Sequence, residues 1–347
     1  MWSGWKSVAV PHAESSSSEP AAAPPFESAR LADWASTHLG TVVAGVEVLQ
    51  TNTRGFDSDI IFVRFRGPDL PPPWSEELVL RVKHSRVALA EAQAEAAMHG
   101  WLVEQGYPAP AVLGVIEPGV VGDGPTQIVQ VAPGVSLFDA AKRRPWTVGE
   151  LLDRFAALQN RLHLLPVAGC PADMDVVEKR LRLPRAVAAT LGHAGVQAGI
   201  ARMEALADRL HDAPRSVCHG DYHPLNALVD GDRVTIIDWT DSGLGDRHCD
   251  VARTIALYDI ASIVAGSAIE RRALEVVGPR IGASYRRRYD AGLAIDPDRL
   301  ALWMPIHLLH DWSQALAGSE RDTTMPAEMA IALGERFERA LDAVPPG

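Results

Sequence analysis

At 347 residues, 47% hydrophobic and 22% charged, the chain has an ordinary globular composition and exceeds the length one hydrophobic core usually organises, so two lobes are expected. A formal net charge of -11 argues against a nucleic-acid partner, which would need a basic face, and suits a cationic small substrate. Cys170, Cys218 and Cys249 are widely spaced with no CxxC pair, and no stretch has the apolarity of a membrane span or the layout of a signal peptide; a soluble cytoplasmic protein without membrane partner is expected.

Residues 1 to 27, through "HAESSSSEPAAAPP", read as a disordered tail, because a Ser/Ala/Pro-rich run buries too little apolar surface to offset ordering entropy. A short helical pattern follows from Ala29 to Leu39. "TVVAGVEVLQ" and "DIIFVRF" then read as a hairpin whose polar connection, "TNTRGFDS", carries Gly55 and Ser58. "ELVLRVKHS" is another strand, with Val79, Arg81 and Lys83 on one face and Leu78, Leu80 and Val82 on the other. A helix is expected from about Arg86 to Gln105, ended by Gly106, and "TQIVQVAPG" is a further strand.

Beyond residue 133 the pattern turns helical. Thr147 and Glu150 form a capping-box signature ahead of Leu151, Phe155, Leu158 and Leu162 at helical spacing. Further helical runs are Gly199 to His211, Val251 to Ala265, Glu270 to Tyr289 and Met325 to Leu341. The expected organisation is thus α+β and bilobal: residues 28 to 133 form a β-rich lobe with one long helix, and residues 134 to 347 a larger, mainly helical one.

Inside the helical half, "VCHGDYHPLNALVDGDRVTIIDW" interrupts the texture. "DGD" between "ALV" and "VTIID" is a turn signal, so the flanking runs form a hairpin that brings Asn226 and Asp238 together at its open end. An amide oxygen and a carboxylate are hard donors suited to Mg²⁺. Asp221, five positions before Asn226, reproduces the D-x-x-x-x-N spacing of kinase catalytic loops, with His219 at that motif's His position and Gly220 in place of its Arg.

The series "HGDYHPLN", hairpin, "IIDW" and then "GDRHCDVA" resembles the signature of the aminoglycoside phosphotransferase and choline kinase-like enzymes, small-molecule kinases with a protein-kinase-like fold. The resemblance spans about residues 40 to 265. It implies transfer of the γ-phosphate of ATP, or of GTP, to a small-molecule alcohol. Asp221 would be the catalytic base or hydroxyl-orienting group, Asn226 and Asp238 Mg²⁺ ligands, His219 a buried structural residue, and Asp250 a brace for the loop. By the same resemblance Arg81, with Lys83 as competing candidate, contacts the nucleotide phosphates and pairs with Glu95. Gly55 and Ser58 lie nearest the nucleotide, and backbone groups of Gln130 and Ala132 hold adenine.

Other readings stand beside these. His219 and His223 suggest a zinc site, but no further ligands stand at a familiar spacing, and His223 is expected at the surface. "MPIHLLHDWSQAL" puts His307, His310, Asp311 and Trp312 on a helical pattern that either lines the acceptor pocket or turns a polar face to water. A nucleotide- or metabolite-binding pseudokinase and a metal-dependent phosphoesterase are the alternatives to a kinase.

Overall fold

The computed structural model describes residues 26–52, 58–84, 87–172, 174–263, 265, 267–320 and 327–346. The chain begins with α1 (Ser28–Leu39), β1 (Gly45–Asn52), β2 (Ser58–Arg66), β3 (Glu77–Lys83), α2 (Leu89–Glu104), β4 (Val112–Ile116), β5 (Thr126–Gln130), β6 (Val135–Ser136) and α3 (Leu137–Arg143). It continues through α4 (Val148–His163), α5 (Val176–Leu191), α6 (Ala194–Ala205), α7 (Ala207–His211), β7 (Arg215–Cys218), β8 (Ala227–Asp230), β9 (Arg233–Ile236) and β10 (Gly243–Asp246). The helices α8 (His248–Ile260), α9 (Ala268–Gly292), α10 (Pro297–Glu320) and α11 (Ala327–Asp342) complete it. One unit takes the described residues up to Ala140 together with Ala227–Ile237; the other takes Ala141–Asn226 and the chain from Asp238.

The first unit is built on an antiparallel five-stranded sheet in the order β1-β2-β3-β5-β4. Its central strands are nearly continuous in apolar residues because both faces are covered. On one face Ile61, Val63, Phe65, Leu78 and Leu80 pack with Leu31 and Ala35 of α1; on the other, Ile60, Phe62 and Val79 form a second cluster. The period of two along β3 leaves Arg81 and Lys83 on the Val79 face. The expected tail lies outside the described residues except at its end, where Phe26 is buried in the α1 cluster, so ordered chain starts before residue 28. Gly55 also lies outside the described residues.

The expected boundary at residue 133 is not where the unit ends. β6 pairs antiparallel with β8, β8 with β9, and Ala132, Leu228 and Ile237 share an apolar cluster. The β8–β9 hairpin therefore belongs to the first unit although it is encoded in the second half of the chain.

In the second unit β7 pairs with β10, and α10 packs against α5, α8 and α11. The capping box at Thr147 does not form: a short 3-10 turn over Pro145–Thr147 leads into α4, the Thr147 hydroxyl donates to the Arg144 carbonyl (2.8 Å), and Glu150 pairs with Arg154 (2.5 Å). Among the described residues no helix is long and apolar enough to cross a membrane.

Candidate active site

The loop between β7 and β8 is fixed by its backbone. Asp250, near the start of α8 and wholly buried, accepts the N–H of His219 on one carboxylate oxygen (2.7 Å) and the N–H of Gly220 on the other (2.7 Å). His163 stands 3.2 Å from the first of these oxygens. Gly220 has φ +83, and a Cβ there would lie 2.2 Å from the Asp241 carbonyl oxygen, so no larger residue fits this turn. His219 is buried against Trp239 at 4.4 Å between ring centroids, and its Nδ1 accepts the N–H of Asp221 (3.2 Å).

This places the Asp221 side chain, 20% exposed, between donors from two elements. Arg253 of α8 donates from Nε to Oδ1 (2.8 Å), and His223 from Nε2 to Oδ2 (3.1 Å). Because His223 Nδ1 accepts the N–H of Leu225 (3.2 Å), the ring proton sits on Nε2. His223 is therefore buried and committed to Asp221, which corrects the expectation of a surface residue. Burial works to raise the Asp221 carboxyl, and His223 and Arg253 outweigh it and hold the group well below the usual carboxylate range.

Arg253 is itself clamped. Its Nη1 lies 2.7 Å from both carboxylate oxygens of Asp311 on α10, with the two side chains 2% and 6% exposed. Behind them Arg180 of α5 pairs through Nη2 with Asp241, while its Nε and Nη1 have no hydrogen-bond partner among the described residues. Neither arginine was singled out from the sequence: Arg253 falls in an expected helical run, and the helix that carries Arg180 was not expected.

Asn226 is buried, and its Nδ2 donates to the Asp221 carbonyl (3.1 Å), which turns Oδ1 away from the loop. Asp238 has φ 65, the one non-glycine residue with positive φ among the described residues. Its Oδ1 accepts the Thr240 hydroxyl (3.0 Å). The β8–β9 register, Ala227 opposite Ile236, puts both residues at the open end of the hairpin. An amide oxygen oriented by its own nitrogen and a carboxylate held in a strained backbone form a hard-donor pair that fits Mg²⁺.

In the first unit, Glu95 of α2 bridges both basic residues of β3. One carboxylate oxygen meets Arg81 Nη1 (2.5 Å) and the other Lys83 Nζ (2.7 Å). Burial acts to raise the Glu95 carboxyl; Arg81, Lys83 and His99 together drive it far below the ordinary range. Lys83 is 2% exposed and Arg81 14%, and Arg81 Nε reaches the Ser58 hydroxyl (3.3 Å). The N–H of Gln130 donates to the Ala111 carbonyl (2.9 Å).

The α10 residues do not converge on one pocket. His307 is fully buried with Nε2 donating to the Cys249 carbonyl (2.8 Å), and its Nδ1 has no partner among the described residues. His310 donates from Nδ1 to the Arg180 carbonyl (3.2 Å). Trp312 faces the other way, against His193 and Phe337, on a cavity of about 670 Å³. Three of the four groups tie α10 to α5 and α8, and with His307 and Asp311 buried the expected polar face is not turned to water.

Residues 49–303 match the model of the phosphotransferase enzyme family. An aminoglycoside 3'-phosphotransferase of Streptomyces fradiae is 27% identical over 256 residues, 68% of this chain and 85% of that protein. The fold resembles a type VIII aminoglycoside-3'-phosphotransferase, with TM-score 0.54, 23% identity, and coverage of 77% of this chain and 93% of that one. It also resembles a choline kinase from Streptococcus pneumoniae, with TM-score 0.55, 13% identity and coverage of 90% and 97%. A thermostable aminoglycoside phosphotransferase solved with ADP and hygromycin B aligns with TM-score 0.60 and 17% identity, over 91% of this chain and 99% of that one.

Proposed function

This chain belongs to the phosphotransferase enzyme family and is a small-molecule kinase, and from that premise we propose that it transfers the γ-phosphate of ATP or GTP to a hydroxyl of a small, cationic acceptor. The observation that carries the reading is the state of Asp221: ionised, partly exposed, and held on each oxygen by a separate donor. A carboxylate so placed orients an alcohol and takes its proton as the alcohol oxygen bonds to the γ-phosphorus and the bond to the ADP oxygen breaks.

Asn226 Oδ1 and Asp238 would hold Mg²⁺, which when bound neutralises charge on the phosphate oxygens. On the first unit, Arg81 is the phosphate contact, with Ser58 beside it, because Lys83 is enclosed and serves Glu95. The Gln130 carbonyl and the Ala132 N–H are assigned to adenine. The similarity to an aminoglycoside 3'-phosphotransferase, together with the net charge of -11, favours an amine-bearing sugar as acceptor.

The test is an ADP-release screen with Mg-ATP and Mg-GTP against aminoglycosides, amino alcohols, sugars and nucleosides. Turnover with an amine-bearing alcohol is expected, and Asp221→Asn should abolish it while nucleotide still binds. A fully active Asp221→Asn protein sinks the assignment. Silence with every acceptor while nucleotide binds would favour a pseudokinase, and phosphate release from a phosphoester without ATP a phosphoesterase.

A further inference from the structure

Asp250 and Arg253 stand three residues apart on α8, hence on one face of the helix, and both reach the Asp221 loop. Their targets differ. Asp250 takes backbone N–H groups of His219 and Gly220 and so fixes the course of the loop. It leaves the Asp221 side-chain torsions undetermined. Arg253 takes the side chain, and a guanidinium locked through Nη1 onto both oxygens of Asp311 presents its Nε in one direction only.

We propose that Arg253, clamped by Asp311 of α10, is the positioning residue that fixes the Asp221 carboxylate toward the acceptor hydroxyl. This rests on the kinase reading above and goes beyond it, since α10 then sets the aim of a reaction to which it contributes no reacting group. The pair is too deeply buried for its stability value to explain it. Taking two such charges out of water carries a cost that their attraction often fails to return, so replacing both by apolar residues is commonly as stable. The surroundings alternate in sign: Asp221 and Asp311 flank Arg253, Asp241 faces Arg180, and His223, His307 and His310 complete the cluster. His223 and, at 3.5 Å, Asn226 Nδ2 both meet Oδ2, and donors on that oxygen alone would let the carboxylate pivot; with Arg253 on Oδ1 both oxygens are held.

Two substitutions in the full chain separate aim from fold. Asp311→Asn keeps shape and releases the clamp, and Arg253→Lys keeps charge but lacks the fork. For each, kcat should fall on the order of 10- to 100-fold while nucleotide affinity by calorimetry stays near wild type; the thermal midpoint of Asp311→Asn should also fall, since Arg253 then lacks one of its two buried counter-charges, so kcat is read at a temperature where the variant is folded. A crystal structure of Asp311→Asn should show the Asp221 carboxylate displaced from His223. An unmoved carboxylate, or wild-type kcat in either variant, overturns the proposal. Should Arg253→Lys not fold, Asp311→Asn decides alone. If wild type transfers phosphate to nothing, the kinase reading falls, and the carboxylate position in Asp311→Asn still decides the positioning role.

Discussion

Gly220 and Asp238 both hold a left-handed backbone, and the chemistry of each follows from that. At Gly220 a methyl group would meet the Asp241 carbonyl and a disfavoured φ together, so Gly220→Ala should cost about 1–3 kcal/mol in urea unfolding and disable turnover. Equal stability would mean that the loop can shift. On β3, Arg81→Met should weaken nucleotide binding about tenfold or more in calorimetry, as loss of a charged contact does. Lys83→Met should act mainly on stability, since its amine is enclosed on Glu95; the reverse result would exchange their roles. Asp221, Asn226 and Asp238 were legible in the sequence because one short loop and one hairpin fix their spacing. Arg253 and Arg180 were not, and Asp311 was singled out without its pairing to Arg253, because a buried charge looks like a solvated one until its partner, 58 or more residues away for these pairs, is known.

Among the elements, α5 shows how a helix can be hidden. Pro184 lies inside it, and a proline there removes the N–H that the Arg180 carbonyl would accept. His310 supplies the missing donor from α10, so the break in the pattern is the docking point of a neighbour. The helix starts at Asp175, whose side chain accepts the N–H of Val177 (2.8 Å); Asp175→Ala should lower stability by about 1 kcal/mol in denaturant unfolding. β4 and β10 were missed for a related reason: their glycines, Gly114, Gly243 and Gly245, dilute the apolar alternation. The long strands β2 and β3 and the amphipathic α4 were readable because their apolar periods run uninterrupted.

For the whole molecule, acid is expected to act in two stages. Burial holds His307 well below its ordinary value of 6.5, His310 at about 4, and His99 below 6.5. A histidine depressed in the fold stabilises it fully above the unfolded value and loses that contribution as pH falls from 6.5 toward the folded value, at up to about 1.4 kcal/mol per pH unit for each group. The depressed carboxyls of Glu95 and Asp246 behave alike from a lower start, contributing above about 4.5 and 3.8 and weakening below. Tm should therefore begin to fall between pH 6.5 and 5, before carboxylates protonate, and His310→Gln should flatten that first stage. A Tm flat down to pH 5 would contradict the buried-neutral assignment.

The hairpin of β8 and β9 carries a consequence for synthesis. A chain leaving the ribosome cannot close its first unit when residue 140 emerges, because the partner of β6 and of Ala132 is encoded between residues 227 and 237. The five-stranded sheet is complete by Gln130, but the small sheet of β6, β8 and β9 must wait until the whole of Ala141–Asn226 has been made. A fragment ending at residue 140 should thus be less stable than the same unit in the full chain, and restoring residues 227–237 through a linker should recover it.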